Sequence, residues 1–302
     1  MAITIGIDLG GTNIKAALVN SSGRQIYPLI EPTGLDQGYN FLLNQLKGII
    51  GALTSVAPEP PTSVGIGVAG LMDRHNRRVV VSPNLGLLRG RYLPRDLGVL
   101  SETPVIMDND ANCMALGEGI TGAARGKKHY IAVTLGTGVG GAIVSDGSFV
   151  SGYQGGGGEI GHVHIHHSGP ICACGSNGCL EAYIGKQAVS DYLIRNFPRL
   201  ESYGLDEINK LAIAGDSEAI EIFGYIARML AVALSTLVNI FNPQVIVIGG
   251  GVSKAGELLL EPLRAEILKR AFRPYTRNLK IVTAKLGDWA GVIGAGVLAV
   301  EK

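Results

Sequence analysis

Three cysteines and a histidine form the most distinctive chemical cluster in the sequence. Cys172, Cys174 and Cys179 lie within eight residues of one another, and His162 precedes Cys172 by ten residues. Thiolate and imidazole ligands at this spacing are typical of a closed Cys3His zinc site. Ordinary thiols or disulfides are the alternative, but Cys172 and Cys174 are too close in sequence to pair comfortably, and Cys113 lies in an unrelated segment. We therefore expect a structural zinc ion here.

Two carboxylates bracket this cluster. Glu159 precedes His162, and Glu181 follows Cys179 by two residues. A metal-bound imidazole has a fixed ring orientation, and its second nitrogen stays available for a hydrogen bond. The segment is therefore predicted to be a zinc-tied substrate site, in which His162 contacts a substrate hydroxyl.

Glycine turns after apolar runs form a second kind of candidate site. The chain has 44 glycines, and clusters follow apolar runs at 10–11, 136–141, 155–158 and 249–251. Such turns let the backbone approach a ligand closely, with N–H groups available to phosphate oxygens. The pattern of residues 5–21 returns without a gap at residues 131–147, which indicates a duplicated domain. A nucleotide is expected between the two halves.

The first of these turns carries an acid. Asp8 stands at the end of an apolar strand, and Gly10, Gly11 and Thr12 follow it where phosphate oxygens or a hydrated magnesium ion could lie. An aspartate before glycines can also be a simple turn former. The echo of the pattern at Leu135–Gly138 favours the phosphate interpretation and predicts that Thr12 and Thr137 are paired phosphate contacts.

Acids and amides are concentrated after the apolar pair Val105–Ile106. Asp108, Asn109, Asp110 and Asn112 follow, and such clusters are often solvated turns. Here a helical pattern begins at once, so a carboxylate could be held at a helix N-terminus facing a cleft. Transfer of a phosphoryl group to an alcohol needs one carboxylate that accepts the hydroxyl proton. Asp110 is the preferred candidate and Asp108 the alternative.

Alternating strand and helix patterns must position these residues and put the chain in the α/β class. The length of 302 residues suggests two domains. The patterns predict strands at 3–8, 14–20, 64–68 and from 245, an amphipathic helix through 41–53, a long helix from Ser217 to Phe241 capped by Asp216, and an apolar helix within 287–300.

Composition limits the partners. A formal net charge of +1 with 17% charged residues lacks the basic excess expected of a protein that binds nucleic acid or anionic membranes. No uninterrupted apolar run in the sequence approaches a membrane span, and the first residues lack a basic signal-peptide region. We expect a cytoplasmic protein whose thiols stay reduced and available to a metal.

Taken together, these motifs resemble the ROK family of sugar kinases, most closely its bacterial glucokinase-type members. The matching segments span nearly the whole chain: Asp8–Thr12, Ser82–Leu85, Asn109–Asn112, Leu135–Gly141, Gly158–His162, Cys172–Glu181 and Val247–Gly251. The resemblance implies an actin-like ATPase (ribonuclease H-like) fold of two α/β domains with ATP and sugar in the cleft between them. The implied small domain is 1–120, with the C-terminal helix 290–302 packing back on it. The large domain is 121–289 and carries the zinc-binding loop 162–181.

The resemblance also implies roles for single residues. Asp110 would be the catalytic base acting on the sugar 6-hydroxyl. The other sugar hydroxyls would be held by Asn84, Asn109, Glu159, His162 and Glu181. ATP and Mg²⁺ would be held by Asp8, Gly10, Gly11, Thr12, Lys15, Thr137, Gly138, Gly249, Gly250 and Gly251, and structural Zn²⁺ by His162, Cys172, Cys174 and Cys179. A homodimer is the family expectation.

We expect an ATP-dependent hexokinase that forms a hexose 6-phosphate, with glucose as the leading substrate. Ala69 stands where many members have proline, and the Asn84–Leu87 segment lacks a tryptophan often found nearby, so mannose, fructose, N-acetylglucosamine and N-acetylmannosamine stay open. A sugar-responsive repressor of the same family would carry an N-terminal DNA-binding helix-turn-helix, whereas this sequence enters its first strand at once. A sugar-binding protein without catalysis is the remaining alternative.

Overall fold

The computed structural model describes residues 2–73, 78–82, 84–98 and 103–299. The chain forms two compact units. The first comprises Met1–Gly126, Ser151–Gly157 and Lys285–Lys302, and the second comprises Lys127–Val150 and Gly158–Ala284. The division into domains at residues 120 and 289 stays a prediction.

A five-stranded sheet is the centre of the first unit. Its strands are β1 (Ile3–Leu9), β2 (Asn13–Asn20), β3 (Gln25–Pro32), β4 (Val64–Val68) and β7 (Val105–Asn109), in the order β3-β2-β1-β4-β7. β1 pairs antiparallel with β2 and parallel with β4, which pairs parallel with β7. A separate two-stranded sheet joins β5 (Leu71–Asp73) to β6 (Arg78–Val81).

The two faces of this sheet are packed differently because strand side chains alternate. On β1, Ile3, Ile5, Ile7 and Leu9 join the apolar core formed with the first helix. Thr4 and Gly6 lie on the opposite face, where the Thr4 hydroxyl donates to the Gly296 carbonyl at 2.8 Å. A Cβ atom on Gly6 would lie 2.0 Å from the Val292 carbonyl oxygen. Glycine therefore lets the C-terminal helix lie directly on the sheet.

The second unit repeats this topology. Its sheet has the order β10-β9-β8-β11-β12, formed by β8 (Tyr130–Leu135), β9 (Val139–Ser145), β10 (Ser148–Phe149), β11 (Val245–Gly249) and β12 (Lys280–Thr283). β8 pairs antiparallel with β9 and parallel with β11, as β1 pairs with β2 and β4. Each unit therefore has a hairpin followed by parallel strands, and in each unit the hairpin turn carries one of the predicted phosphate loops.

The helices lie in the sequence between these strands, except the C-terminal helix, which follows β12. The first unit contains α1 (Tyr39–Val56), α2 (Leu93–Gly98), α3 (Asp110–Ile120) and α10 (Ala290–Leu298). The second contains α4 (Glu181–Ile184), α5 (Lys186–Asn196), α6 (Leu205–Ile213), α7 (Ser217–Phe241), α8 (Glu257–Arg270) and α9 (Arg273–Thr276). The C-terminal helix α10 packs against α3 and on β1 and β4.

The expected elements are confirmed with small shifts at their ends. The strand 64–68 and the helix 217–241 have the predicted bounds, and the Asp216 side chain caps that helix by accepting from the Ala219 N–H at 3.0 Å. By length and composition α7 could cross a membrane, which the sequence analysis did not anticipate. The most apolar 18-residue stretch of α7 is 56% buried, and the buried apolar residues of the helix belong to the core of the second unit.

Candidate functional site

The turn from β7 into α3 holds the two candidate bases in different environments. The Asn109 side chain caps α3, because its Oδ1 accepts from the N–H groups of Ala111 at 2.8 Å and Asn112 at 3.3 Å. Asp108 Oδ1 accepts from the Asn109 N–H at 2.7 Å and from Asn112 Nδ2 at 2.9 Å. Asp108 therefore has a structural task in this corner. Asp110 is the first residue of the helix, where a carboxylate is favoured by the helix dipole.

Asp110 and Asp8 lie close enough for their charges to interact. Burial raises the pKa of Asp110, and a hydrogen bond from the Ala111 N–H opposes the rise. The pKa of Asp8 is raised from 3.8 to about 6, first by burial, then by the charges of Asp110 and Asp288, while Lys15 lowers it. A carboxyl group whose pKa approaches the working pH is suited to accept a proton or to meet a cation.

Gly67 on β4 makes room for this acidic corner. The strand register pairs Asp8 with Gly67 and Gly67 with Asp108. A Cβ atom on Gly67 would lie 3.2 Å from the Cys113 sulfur and 3.7 Å from the Asp110 Cα. Because Gly67 has no side chain, the start of α3 can approach β4 at the position between Asp8 and Asp108.

Two hydrogen bonds from Thr33 fix the first glycine turn, Gly10–Thr12. No prediction from the sequence concerned Thr33. The Thr33 hydroxyl donates to the Gly10 carbonyl at 2.8 Å, and the Thr33 N–H donates to the Thr12 carbonyl at 2.9 Å. Thr33 is fully buried. The Gly10 N–H donates to the Asn13 carbonyl at 3.1 Å, so the turn can present the N–H groups of Gly11 and Thr12 and the exposed Thr12 side chain to an anion.

Asn84 and Lys15 flank this turn. A Cβ atom on Gly11 would lie 3.2 Å from the Asn84 Cβ. Asn84, a predicted sugar-binding residue, is therefore a neighbour of the predicted phosphate-binding turn. The Ser82 hydroxyl donates to the Ala69 carbonyl at 2.6 Å and accepts from the Leu85 N–H, which fixes the segment that carries Asn84. The Lys15 ammonium group donates to the Asp288 carbonyl at 3.2 Å.

The second glycine turn, Gly136–Gly138, meets Glu181. Glu181 Oε2 accepts from the Val139 N–H at 2.8 Å, and a Cβ atom on Gly138 would lie 2.3 Å from that oxygen. One carboxylate oxygen of Glu181, a predicted sugar-binding residue, therefore holds the predicted phosphate-binding turn. The Thr137 carbonyl in the same turn accepts from the Lys186 N–H at 3.0 Å. This coupling of the two predicted sites had no signal in the sequence.

The third glycine turn, Gly249–Gly251, follows β11 and lies against Leu135, the residue that precedes the second turn. Gly250 has a φ of 80°, and a Cβ atom there would lie 2.2 Å from the Leu135 carbonyl oxygen. Only glycine combines this backbone conformation with this approach. Gly249 ends β11, and Gly251 begins a short 3₁₀ helix.

A cavity of about 600 Å³ lies in the second unit beside these two turns. Gly136, Thr137 and Gly251 form part of its wall. The rest of the wall comes from Lys186, Val189, Ser190, Leu193, Tyr203, Gly204, Leu205, Asp206, Glu207 and Val252. Glycine N–H groups beside apolar side chains suit a ligand with phosphates at one end and a flat apolar ring at the other.

The four predicted metal ligands converge. Their ligand atoms all lie within 4.8 Å of one another, with 3.7 Å between the sulfurs of Cys174 and Cys179 and 3.7 Å between Cys172 Sγ and His162 Nδ1. Tetrahedral zinc with Zn–S bonds of about 2.3 Å requires S···S edges of about 3.8 Å, so the donor set fits this ion. His162 Nε2 is the ring nitrogen left for another partner.

Glycines also set the position of Glu159. A Cβ atom on Gly161 would lie 2.2 Å from the Val139 carbonyl oxygen, and one on Gly141 would lie 2.5 Å from the Ile160 side chain. The loop therefore packs tightly on β9, with Ile160 buried and Glu159 exposed.

Within each unit, the predicted residues lie at strand ends, in turns and loops, or at helix starts, except Lys15, which lies within β2. In the first unit these are Asp8, Gly10, Gly11, Thr12, Lys15, Asn84, Asn109 and Asp110. In the second unit they are Thr137, Gly138, Glu159, His162, Glu181, Gly249, Gly250 and Gly251 together with Cys172, Cys174 and Cys179.

The repeated sheet topology and the paired glycine turns define the class: this is the actin-like ATPase fold, with two α/β domains. The ROK family model matches residues 4–302, and the chain belongs to the ROK family.

Known proteins of this family resemble the chain over its whole length. A glucokinase of Thermotoga maritima is 34% identical, covering 99% of this chain and 97% of the relative. An N-acetyl-D-glucosamine kinase of Photobacterium profundum is 33% identical, covering 98% of this chain and 99% of the relative. The crystal structure of a ROK family glucokinase from Streptomyces griseus, in complex with glucose and AMPPNP, aligns over 100% of both chains with 30% identity and a TM-score of 0.87.

Proposed function

We propose that this protein transfers the γ-phosphoryl group of ATP to the 6-hydroxyl of a hexose, with glucose as the preferred acceptor. The observation that carries the proposal is the Asp110 carboxylate, which stands at the start of α3 with a raised pKa, close enough to Asp8 for the two charges to interact. A carboxylate in this position can accept the hydroxyl proton as the phosphoryl group is transferred. The similarity to proteins named as glucokinases supports glucose as the acceptor.

The sugar would be held by Asn84, Asn109, Glu159, His162 and Glu181. Carboxylates suit a sugar because each can accept from two neighbouring hydroxyls, and a buried hydroxyl left unpaired costs about 1–3 kcal/mol. Glu181 Oε1 can accept from such a hydroxyl while Oε2 holds the Val139 N–H. His162 would contribute Nε2, with its ring fixed by the metal at Nδ1.

The nucleotide would occupy the cavity of the second unit. Its apolar wall would take the adenine, and the turns at Thr137 and Gly250 would donate N–H groups to phosphate oxygens. Asp8, Gly10, Gly11, Thr12 and Lys15 would face the other end of the phosphate chain. Mg²⁺, when bound, neutralises charge on the phosphates, and Asp8 is the carboxylate suited to meet it.

The test is ADP release with ATP and Mg²⁺ against glucose, mannose, fructose, N-acetylglucosamine and N-acetylmannosamine. We expect the highest kcat/KM with glucose. The similarity to the N-acetyl-D-glucosamine kinase makes that sugar the second candidate, and a higher kcat/KM with it would move the assignment within the family. Sugar binding without turnover of any sugar would refute the kinase and favour a sugar-responsive regulator or binding protein.

We further propose that the metal is structural zinc held by His162, Cys172, Cys174 and Cys179. Metal analysis of the purified protein should give one zinc per chain. Cys179→Ser should lose that zinc and lower the melting temperature, whereas Cys113→Ser is the matched control because Cys113 lies outside the cluster in the first unit. Equal zinc in both variants would refute the assignment. A homodimer and a cytoplasmic location stay predictions from the family resemblance and the sequence.

A further inference from the structure

One face of α5 forms a wall of the cavity in the second unit. Lys186, Val189, Ser190 and Leu193 line the cavity, and their spacing places them on the same face of the helix. Lys186 is the first residue of α5, and Leu193 lies about two turns, or about 10 Å, further along the helix. Val189 and Leu193 are buried. The wall therefore changes from a cation at the start of the helix to apolar side chains.

The cation at this end of the wall stands beside the second glycine turn. The Lys186 N–H donates to the Thr137 carbonyl at 3.0 Å, and Gly136 and Thr137 line the same cavity. The Lys186 side chain is exposed, and its ammonium group forms no ion pair within the part of the chain that the structure describes. The first turn of α5 also contains no acidic residue. An anion held at the glycine turn would therefore meet an unpaired positive charge.

A carboxylate of α6 lines the same cavity. Asp206 and Glu207 both belong to its wall and lie at the start of that helix. Glu207 Oε2 accepts from the Gly204 N–H at 2.9 Å and so caps the helix. The Asp206 carboxylate, by contrast, makes no hydrogen bond or ion pair with any residue that the structure describes. Lys186 and Asp206 thus line one cavity with opposite charges, do not pair with each other, and are both available to a ligand.

We propose that Lys186 and Asp206 together select the phosphoryl donor: Lys186 binds a phosphate group, and Asp206 accepts hydrogen bonds from the ribose hydroxyls. Two neighbouring hydroxyls can donate to the two oxygens of one carboxylate, and an acidic residue binds a ribose hydroxyl in dinucleotide-binding sites. The two charges orient the ligand, with its phosphates toward the glycine turn. This inference rests on the proposed kinase function, because that function places the donor in this cavity.

The same arrangement disfavours a donor that consists of phosphates alone. An inorganic polyphosphate carries negative charge along its whole length, so part of it would lie against Asp206 and against the apolar Val189 and Leu193. Like charges brought together and charges removed from water are both unfavourable. A nucleoside triphosphate has its charge at one end only. The donor class is therefore a nucleoside triphosphate with an intact ribose.

Lys186→Gln tests the phosphate contact without turnover. Calorimetry would measure the binding of a non-hydrolysable ATP analogue with Mg²⁺ and, separately, of adenosine. We expect the Kd of the analogue to rise about fivefold or more, because a charge-assisted hydrogen bond is lost, while the Kd of adenosine changes by less than about twofold. Lys210→Gln is the matched control, since Lys210 is an exposed lysine of α6 outside the cavity wall. A smaller rise, or an equal rise in the control, would overturn the assignment of Lys186.

Asp206→Ala tests the ribose contact. The wild-type protein should bind adenosine about fivefold or more tightly than 2′,3′-dideoxyadenosine, and the variant should bind the two nucleosides equally. Asp191→Ala is the matched control, because Asp191 is an exposed acid of α5 outside the cavity wall and its loss should leave the preference unchanged. A variant that keeps the full preference for adenosine would overturn the assignment of Asp206, as would a wild-type protein without one.

The donor itself is tested with the unmodified protein. Formation of glucose 6-phosphate should have a kcat/KM about 100-fold or more higher with ATP than with inorganic tripolyphosphate, and a smaller ratio would overturn the proposed selection. If neither donor phosphorylates any sugar, the proposed function fails, and the binding measurements still decide the roles of Lys186 and Asp206. If ATP phosphorylates a hexose but both variants bind their ligands as the wild type does, only this inference fails.

Discussion

At the scale of single residues, Asp110 and Asp108 are both acidic and only two positions apart, yet the structure gives them different tasks. Asp108 is engaged by the Asn109 N–H and the Asn112 amide, and Asp110 stands at the helix start. Asp110→Asn should lower kcat by about 100-fold or more while glucose affinity is retained, because the base is lost and the shape is kept. Asp108→Asn keeps an acceptor oxygen at the same place and should change kcat by less than about tenfold. Steady-state kinetics with direct sugar-binding measurements would check both, and the reverse order would make Asp108 the base.

Asp8 should make the folded state less stable as it ionises. Its pKa is about 6 in the folded protein and 3.8 without the surrounding structure, so the folded state binds more protons between these values. The free energy of unfolding should therefore fall as the pH rises from about 4 to about 6. Asp8→Asn should remove this fall and stabilise the protein by about 1–3 kcal/mol at pH 7.5, with little gain at pH 4. Urea unfolding at both pH values, without added Mg²⁺, would check this, and a less stable Asn variant at pH 7.5 would contradict it.

At the scale of elements, the glycine turns hold the two predicted phosphate sites. Gly250→Ala would place a Cβ atom 2.2 Å from the Leu135 carbonyl oxygen at a φ of 80°, so we expect a loss of stability of about 2 kcal/mol or more and a higher KM for ATP. Gly251→Ala is the matched control for stability, because a Cβ atom there meets nothing within 4 Å. Thermal unfolding of both variants would check this, and equal melting temperatures would contradict it.

The elements also explain how much of the site was predictable. Asp8, Asp110 and the glycine turns lie where strands end, and a strand end is readable from an apolar run followed by glycine or by a capping residue. Thr33 was missed because its value lies in two hydrogen bonds to a turn more than twenty residues earlier in the chain. Val189, Leu193 and Leu205 were missed because helical spacing cannot say which apolar residues face a cavity rather than a core.

At the scale of the whole molecule, the first unit is discontinuous in sequence. It needs α10 from the end of the chain, and nearly every residue of that helix is buried against α3, β1 and β4. A chain that ends at Ala284 should therefore lose the folding of the first unit and all kinase activity, while the second unit keeps the proposed zinc site. Circular dichroism, metal analysis and limited proteolysis would check this outcome. A truncated chain whose first unit stays resistant to protease would contradict it.

The discontinuity also sets an order of events on the ribosome. Domains usually fold in the order in which they are synthesised. Here the second unit is complete once Ala284 has left the exit tunnel, whereas the first unit must wait for α10, which follows. The unit that contains β1 is thus the unit that finishes folding last. Until then, the nascent chain exposes the face of the first sheet that α10 covers, and this is the stage at which a chaperone would have most to protect.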